Sequence, residues 1–166
     1  MALIVEDGTG LATADSYNSL AELTAYHAAR GNADWAAGAE ADQEAAAREA
    51  AAFLDDVCRG WWKGVKASGT QALAWPRVNV LDEDGYGVTG LPTEVKAAHA
   101  EASLRALAGD LTPDLARGGR IKRKSIAGAI ETEYMDDAPA GTIYPEIARK
   151  LAGLLRSAFT VELVRT

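Results

Sequence analysis

The stretch from position 41 to 58, ADQEAAAREAAAFLDDVC, constrains this chain more than any other. Alanine gives up no side-chain entropy on entering a helix, and no Gly or Pro interrupts the run before Gly60. Ala46, Glu49, Ala50, Phe53, Leu54 and Val57 recur at i, i+3, i+4 and i+7, with one polar intrusion. The spacing predicts a helix over 41–58 and places Glu44 and Arg48 as an i, i+4 pair on its wet side, worth roughly 0.2–0.5 kcal/mol. A helix faced with Ala lets its neighbours come close, so its partners should be other helices.

Three more helices follow from start and stop signals. Ser19 and Glu22 have capping-box spacing, which predicts a helix from Ser19 to Arg30 stopped at Gly31, with an earlier start at Asp15 or Ser16 also open. Pro92 opens the next, which runs to about Leu107 and ends at Gly109, with Val95, Ala98, Ala102, Leu104 and Leu107 as its apolar stripe. Thr112–Pro113 starts a short helical turn toward Arg117. Pro145 opens the last helix, with Glu146 in its first turn and Ile147, Leu151, Leu154 and Leu155 on one face.

Between these helices the pattern changes. Residues 60–90, GWWKGVKASGTQALAWPRVNVLDEDGYGVTG, mix glycines, aromatics and turn signals without a sustained period. They read as a long, partly packed loop, with a tight turn or small hairpin tip at 82–85. Within it Pro76 holds Trp75 extended. Trp75, Pro76 and Arg77 form the anchor of the loop, the indole buried and the guanidinium left as a planar fork. Residues 120–135 read as a hairpin turning at Ala127–Gly128, basic on the first arm and acidic on the second, with a bulge. Residues 159–166 alternate as an extended tail, with Phe159, Val161 and Leu163 on one side. At the other end Leu3, Ile4 and Val5 form a short apolar arm. The arm and tail need partners, either each other within one chain or a neighbouring subunit.

At 166 residues the chain is a single domain, 1–166. The fold class is mainly α: a small helical bundle of about four helices with a long ordered loop, a short β-hairpin and extended termini. One Cys excludes an intrachain disulfide framework, and two His exclude a His-rich metal site within one chain. No apolar run of about 18 residues is present, so no membrane span is expected. The start lacks a signal-peptide pattern, and the expected compartment is intracellular and reducing.

The residues that could carry chemistry are few. His27 and His99 belong to no HExxH or Cys–His cluster and read as structural or surface residues, and Cys58 reads as a small core residue. Asp55–Asp56, Asp136–Asp137 and the DEDG turn at 82–85 read as solvated charges rather than a metal cup or a calcium loop. No Walker motif, dinucleotide fingerprint or nucleophile elbow is present. The expectation is no catalytic residue, no cofactor and no metal. A basic cluster, Arg117, Arg120, Lys122, Arg123 and Lys124, could face DNA or an acidic partner, with Trp61 and Trp62 as stacking rings. The net charge of -7 opposes that, because counterion release must overcome repulsion from the rest of the surface.

Three stretches carry a resemblance across nearly the whole chain: MALIVEDGTGLATADSY with AYHAARGN, TQALAWPRVNVLDEDG, and ALAGDLTPDL through ETEYMDDAPAGTIYP. They resemble a family of tailed bacteriophages and prophages often labelled DnaT-like single-stranded-DNA-binding protein, which is similar to head–tail connector adaptors, also called head completion proteins. The resemblance implies a non-enzymatic α-helical subunit in a ring, usually of twelve. The ring would sit at the head–tail junction of the virion, between the portal protein and the stopper or tail-side proteins, with packaged DNA in its channel and no membrane. It would be made in the host cytoplasm. Leu3, Ile4, Val5, Phe159, Val161 and Leu163 are then candidates for contacts between subunits or with the portal. The alternative is a single-stranded-DNA-binding module using residues 117–124 with Trp61 and Trp62.

Overall fold

In a computed structural model, the structure describes residues 2–112, 121–126, 130–134 and 144–156. Five helices appear among them: α1 (Leu20–Ala28), α2 (Ala33–Ala37), α3 (Glu40–Val57), α4 (Thr93–Ala108) and α5 (Pro145–Leu151). A 3₁₀ turn, Ala152–Leu154, continues α5. The strands are short and pair only in twos: β1 (Val65–Lys66) with β2 (Arg77–Val78), β3 (Val80–Leu81) with β4 (Gly87–Val88), and β5 (Ile121–Ile126) with β6 (Ile130–Tyr134), all antiparallel. The mainly helical fold class holds.

The α3–α4 contact is the centre of the molecule, and its closeness follows from alanine. Ala47, Ala50 and Ala51 of α3 and Ala98, Ala100 and Ala102 of α4 are all fully buried. His99, also fully buried, ties the two helices together: its Nε2–H donates to the Ala47 carbonyl at 2.9 Å. Around this seam lies the larger apolar cluster, with Leu54, Trp62, Trp75, Val80, Val95, Leu111, Ile147, Leu151 and Leu154. A smaller cluster of Leu23, Trp35, Ala47 and Ala100 sits under α1 and α2.

Local signals explain most element ends. Ser19 caps α1 in a complete capping box with Glu22, and α1 stops at Ala28, two residues short of the expected Arg30. Pro92 is the N-cap of α4 rather than its first helical residue, and Gly109 follows its end. Pro145 stands in the first turn of α5. The short α2 was not anticipated: a five-residue helix has too little period to read, and it exists because Trp35 needs burial against His27, whose ring centroid lies 4.9 Å away. The Glu44–Arg48 pair forms at 3.7 Å, but Glu44 is buried rather than on the wet side. Val57 departs from the expected apolar face of α3 and is 56% exposed, because the helix ends there and turns its last side chain outward.

The arm at residues 3–5 finds its partner nearby in sequence. Val5 bridges Ser16 in parallel, the Ile4 carbonyl accepts from Asp15 N–H at 2.8 Å, and the Ile4 N–H donates to the Asp15 carboxylate at 2.7 Å. Within the chain the arm therefore pairs with residues 15–16. Neither of the partners read from the sequence, the C-terminal tail or a neighbouring subunit, is needed for these backbone groups. The turn between them is closed by Glu6, which is 1% exposed. Its Oε1 accepts from Gly8 and Gly10 N–H and its Oε2 from Leu11 N–H, each at 2.9 Å. Gly8 and Gly10 both take positive φ, +94° and +87°, which lets successive N–H groups converge on one carboxylate.

The expected helical turn at 112–117 and the tail at 159–166 fall on residues outside those described. Within the expected hairpin at 120–135, β5 and β6 pair antiparallel with a register irregularity between Ile121 and Arg123, in keeping with the bulge read from the sequence, and the expected turn at Ala127–Gly128 lies outside the described residues.

Candidate functional site

The loop of residues 60–90 is where the sequence spends its aromatics, and the structure shows how it is held. Trp75 is fully buried and stacks edge-on against Trp62, centroids 5.8 Å apart at 89°. The Trp75–Pro76 peptide is cis. Arg77 turns its fork inward: Nε donates to the Lys63 carbonyl at 2.7 Å, Nη2 to Gly64 at 2.9 Å and Nη1 to Ala74 at 3.2 Å. One planar side chain thus fixes both arms of the β1–β2 ladder. Gln71 is buried and does similar work, accepting from Ser68 N–H at 2.8 Å and donating to Leu73 and Pro76 carbonyls at 2.9 and 3.0 Å. Gly64, at φ +64°, lies where an added Cβ would come within 2.2 Å of the Val78 carbonyl, so only glycine fits.

A second anchor comes from outside the loop. The Tyr17 hydroxyl donates to Asp55 Oδ1, and the Ala74 N–H donates to Asp55 Oδ2 at 2.7 Å. Burial pushes the Asp55 carboxyl above its ordinary value, against the pull of these donors. Burial, and then the neighbouring carboxylate, push the Tyr17 phenol far up. This corrects the reading of Asp55 as a solvated charge: the i, i+1 spacing puts Asp56 outside, where it pairs with Arg59, and Asp55 inside. The DEDG turn does behave as a turn, with Asp82 Oδ1 accepting from Asp84 and Tyr86 N–H at 3.0 and 2.7 Å.

So held, the loop presents apolar side chains to solvent. Val65 and Val78 face each other across β1–β2 and are 56% and 44% exposed. Leu81 and Tyr86, on either side of the next turn, are 55% and 73% exposed. Trp61 is half exposed on the rim of an apolar groove of about 250 Å³, which Phe53, Val57, Cys58, Tyr144 and Ile147 also line. Burial pushes the Cys58 thiol up to about 11, so it is a packing residue rather than a thiolate.

The structure separates several residues that the sequence had grouped. Trp61 is exposed and Trp62 is 4% exposed in the core, so the two rings do not form one stacking platform. The physical reason is the Trp62–Leu155 backbone bridge and the Trp75 ring, which draw the second indole inward. Lys122, Arg123 and Lys124 lie on β5, where Arg123 pairs with Glu133 and Lys124 with Thr132 in register. Arg117, Arg120, Phe159, Val161 and Leu163 lie outside the described residues. Leu3 packs on the smaller cluster and Ile4 is 44% exposed. Both histidines sit in the interior: His27 donates from Nε2 to the Ala100 carbonyl at 3.1 Å and accepts from Asn32 at Nδ1. Sequence reasoning missed Glu6, Tyr17 and Gln71. The converging N–H groups around GTG were the one signal that could have found Glu6. Among the described residues no group of three or more His, Cys, Asp or Glu could hold a metal ion, and no helix is long and apolar enough to cross a membrane.

A family model described as "Putative DnaT-like ssDNA binding protein" matches residues 1–166. No curated protein and no solved structure matches the chain.

Proposed function

Starting from the fact that the chain belongs to the putative DnaT-like ssDNA-binding protein family, we propose that it is a non-enzymatic assembly subunit, the head–tail connector adaptor of a tailed bacteriophage. In this reading copies of the chain form a ring between the portal and the tail-side proteins, around the DNA channel.

The observation that carries this reading is the loop of residues 60–90. Buried Trp75, Arg77, Gln71 and the Tyr17–Asp55 pair hold it rigid, and it offers Val65, Val78, Leu81 and Tyr86 to solvent. A loop built with so many internal anchors, yet apolar on its outer side, is what a docking element requires: order before binding and apolar area to bury on binding. Native mass measurement of the full chain mixed with the cognate portal tests it. A ring of adaptor on portal supports the reading, and a strict monomer that never joins the portal overturns it.

The family's description speaks directly for a second reading, a single-stranded-DNA-binding module. Half-exposed Trp61 favours it as a single stacking ring, with the basic residues 117–124 as phosphate contacts. Fluorescence anisotropy with a labelled single strand tests it. Binding that weakens with salt supports this reading, and no binding at low salt removes it.

A further inference from the structure

Beside the loop lies a cleft of about 340 Å³ with an unusual balance of charge. Arg59, Lys66, Arg77 and Arg156 line it, and Asp55 is the single acid on its wall. In a chain of net charge -7 this concentration of cations runs against the rest of the surface. The four come from three separate segments: the turn after α3, the β1–β2 ladder and the residue after the 3₁₀ turn. The backbone brings them together. Leu155 bridges Trp62, and Arg156 N–H donates to the Trp61 carbonyl at 2.7 Å, which sets Arg156 beside the loop.

The acid is already committed. Asp55 accepts from Tyr17 and from Ala74 N–H, and its charge still acts on Lys66 and Arg77, though it forms a salt bridge with neither. Arg59 is held by Asp56. Arg77 is fixed by three backbone carbonyls, which orient its plane but do not neutralise it. Lys66 makes one long contact, 3.4 Å to the Gln71 carbonyl. Among the described residues no carboxylate pairs with Lys66 or Arg156. Burial holds the Arg77 guanidinium below its ordinary value and Arg156 pushes it further the same way, with Tyr17 and Asp55 opposing less strongly. Folding therefore brings two guanidinium groups into mutual repulsion across an open space, and an anion between them would relieve it.

We propose that this cleft is a phosphate-binding site, with Arg77 as its fixed wall and Lys66 and Arg156 as the arms that close on the oxyanion. Guanidinium and ammonium groups converging from separate segments match the several oxygens of one phosphate. Trp62, Ala72 and Ala74 supply the apolar part of the lining, with Trp62 and Ala74 buried. The phosphate is either free or part of a nucleic-acid strand. The site does not depend on the adaptor reading, and it differs from the basic hairpin that the DNA-binding reading invoked.

Calorimetric titration of the full chain at low salt, with inorganic pyrophosphate and separately with a short oligothymidylate, tests the proposal. Two variants run alongside: Lys66→Gln/Arg156→Gln in the cleft, and Lys122→Gln/Arg123→Gln/Lys124→Gln on the hairpin. Pyrophosphate should bind the native chain, and the cleft variant should weaken it at least about tenfold, as expected for lost charge-assisted hydrogen bonds. The hairpin variant should bind as the native chain does. Oligothymidylate that binds and is displaced by pyrophosphate identifies the source as a nucleic-acid strand. Binding of pyrophosphate alone identifies a free anion. The cleft residues are at the surface, so unchanged melting of both variants shows that folding is intact. No binding of either probe, or a loss that follows the hairpin variant instead, overturns the proposal.

Discussion

The hydroxyl of Tyr17, ahead of the first helix, donates to the carboxylate of Asp55 near the end of the long α3 helix, and that carboxylate in turn receives the Ala74 N–H of the loop. Three distant pieces of chain meet on one acid. The loop stands in a fixed position because of this meeting, and its position is what the functional reading uses.

Replacing Asp55 with Ala leaves the buried Tyr17 hydroxyl without its acceptor and the Ala74 N–H with only the longer contact to the Tyr17 oxygen, at 3.1 Å. The expected cost is about 1–3 kcal/mol. Chemical denaturation measures it, and a midpoint unchanged from the native chain would show that the network is not holding the loop.

Trp75→Ala removes a fully buried indole at the centre of the larger cluster. The expected loss is roughly 3–5 kcal/mol. Trp61→Ala, at a half-exposed ring, should cost clearly less, about 1 kcal/mol. Equal thermal shifts for the two variants would contradict the assignment of one ring to the core and the other to solvent.

Glu6→Gln keeps the shape of the side chain and loses one acceptor. The new amide would point a donor at a donor, either Leu11 N–H or the Gly8 and Gly10 pair. A loss of about 1–3 kcal/mol follows, and amide hydrogen exchange at Gly8, Gly10 and Leu11 should accelerate. Unchanged protection there would rule out the carboxylate as the organiser of the turn.

The pH dependence follows from His99. Burial brings its imidazole down to about 4 from the ordinary 6.5, so the unfolded chain binds the proton more readily than the folded one. Stability should therefore be complete above pH 6.5 and fall as the pH drops toward 4, by about 3 kcal/mol in all. His27, lowered in the same direction by burial, adds to the fall. The carboxylates Glu22 and Glu101, lowered from 4.5, contribute only at more acid pH. The Asp55 carboxyl, raised by burial, works in the opposite direction. Urea midpoints at pH 7 and pH 5, taken in an Asp55→Asn background, isolate the histidines, and equal midpoints there would contradict the buried neutral ring.

Much of the fold was legible because its causes are local. The capping box at Ser19, the alanine run of α3, and the proline and glycine around α4 are each decided by neighbours in sequence. The site was less legible because its causes are distant. Asp55 looked like half of a solvated pair, and only the arrival of Tyr17 and Ala74 makes it a half-buried anchor. Trp61 and Trp62 looked like one platform, yet Trp62, bridged to Leu155, turns into the core while Trp61 stays half exposed. The arm at 3–5 was legible as apolar and extended, but its partner at 15–16 depends on a turn organised by Glu6, which no period reveals.

The central claim is that the outer side of the loop docks on a partner in the connector. Electron microscopy of the full chain mixed with the cognate portal, run beside a Val78→Asp/Leu81→Asp variant, tests it most directly. Both positions are exposed, so the variant should keep its helical signal and its stability to within about 0.5 kcal/mol per site. The account predicts a ring on the portal for the native chain and none for the variant. A native chain that never joins the portal, or a variant that joins it equally well, would contradict the claim.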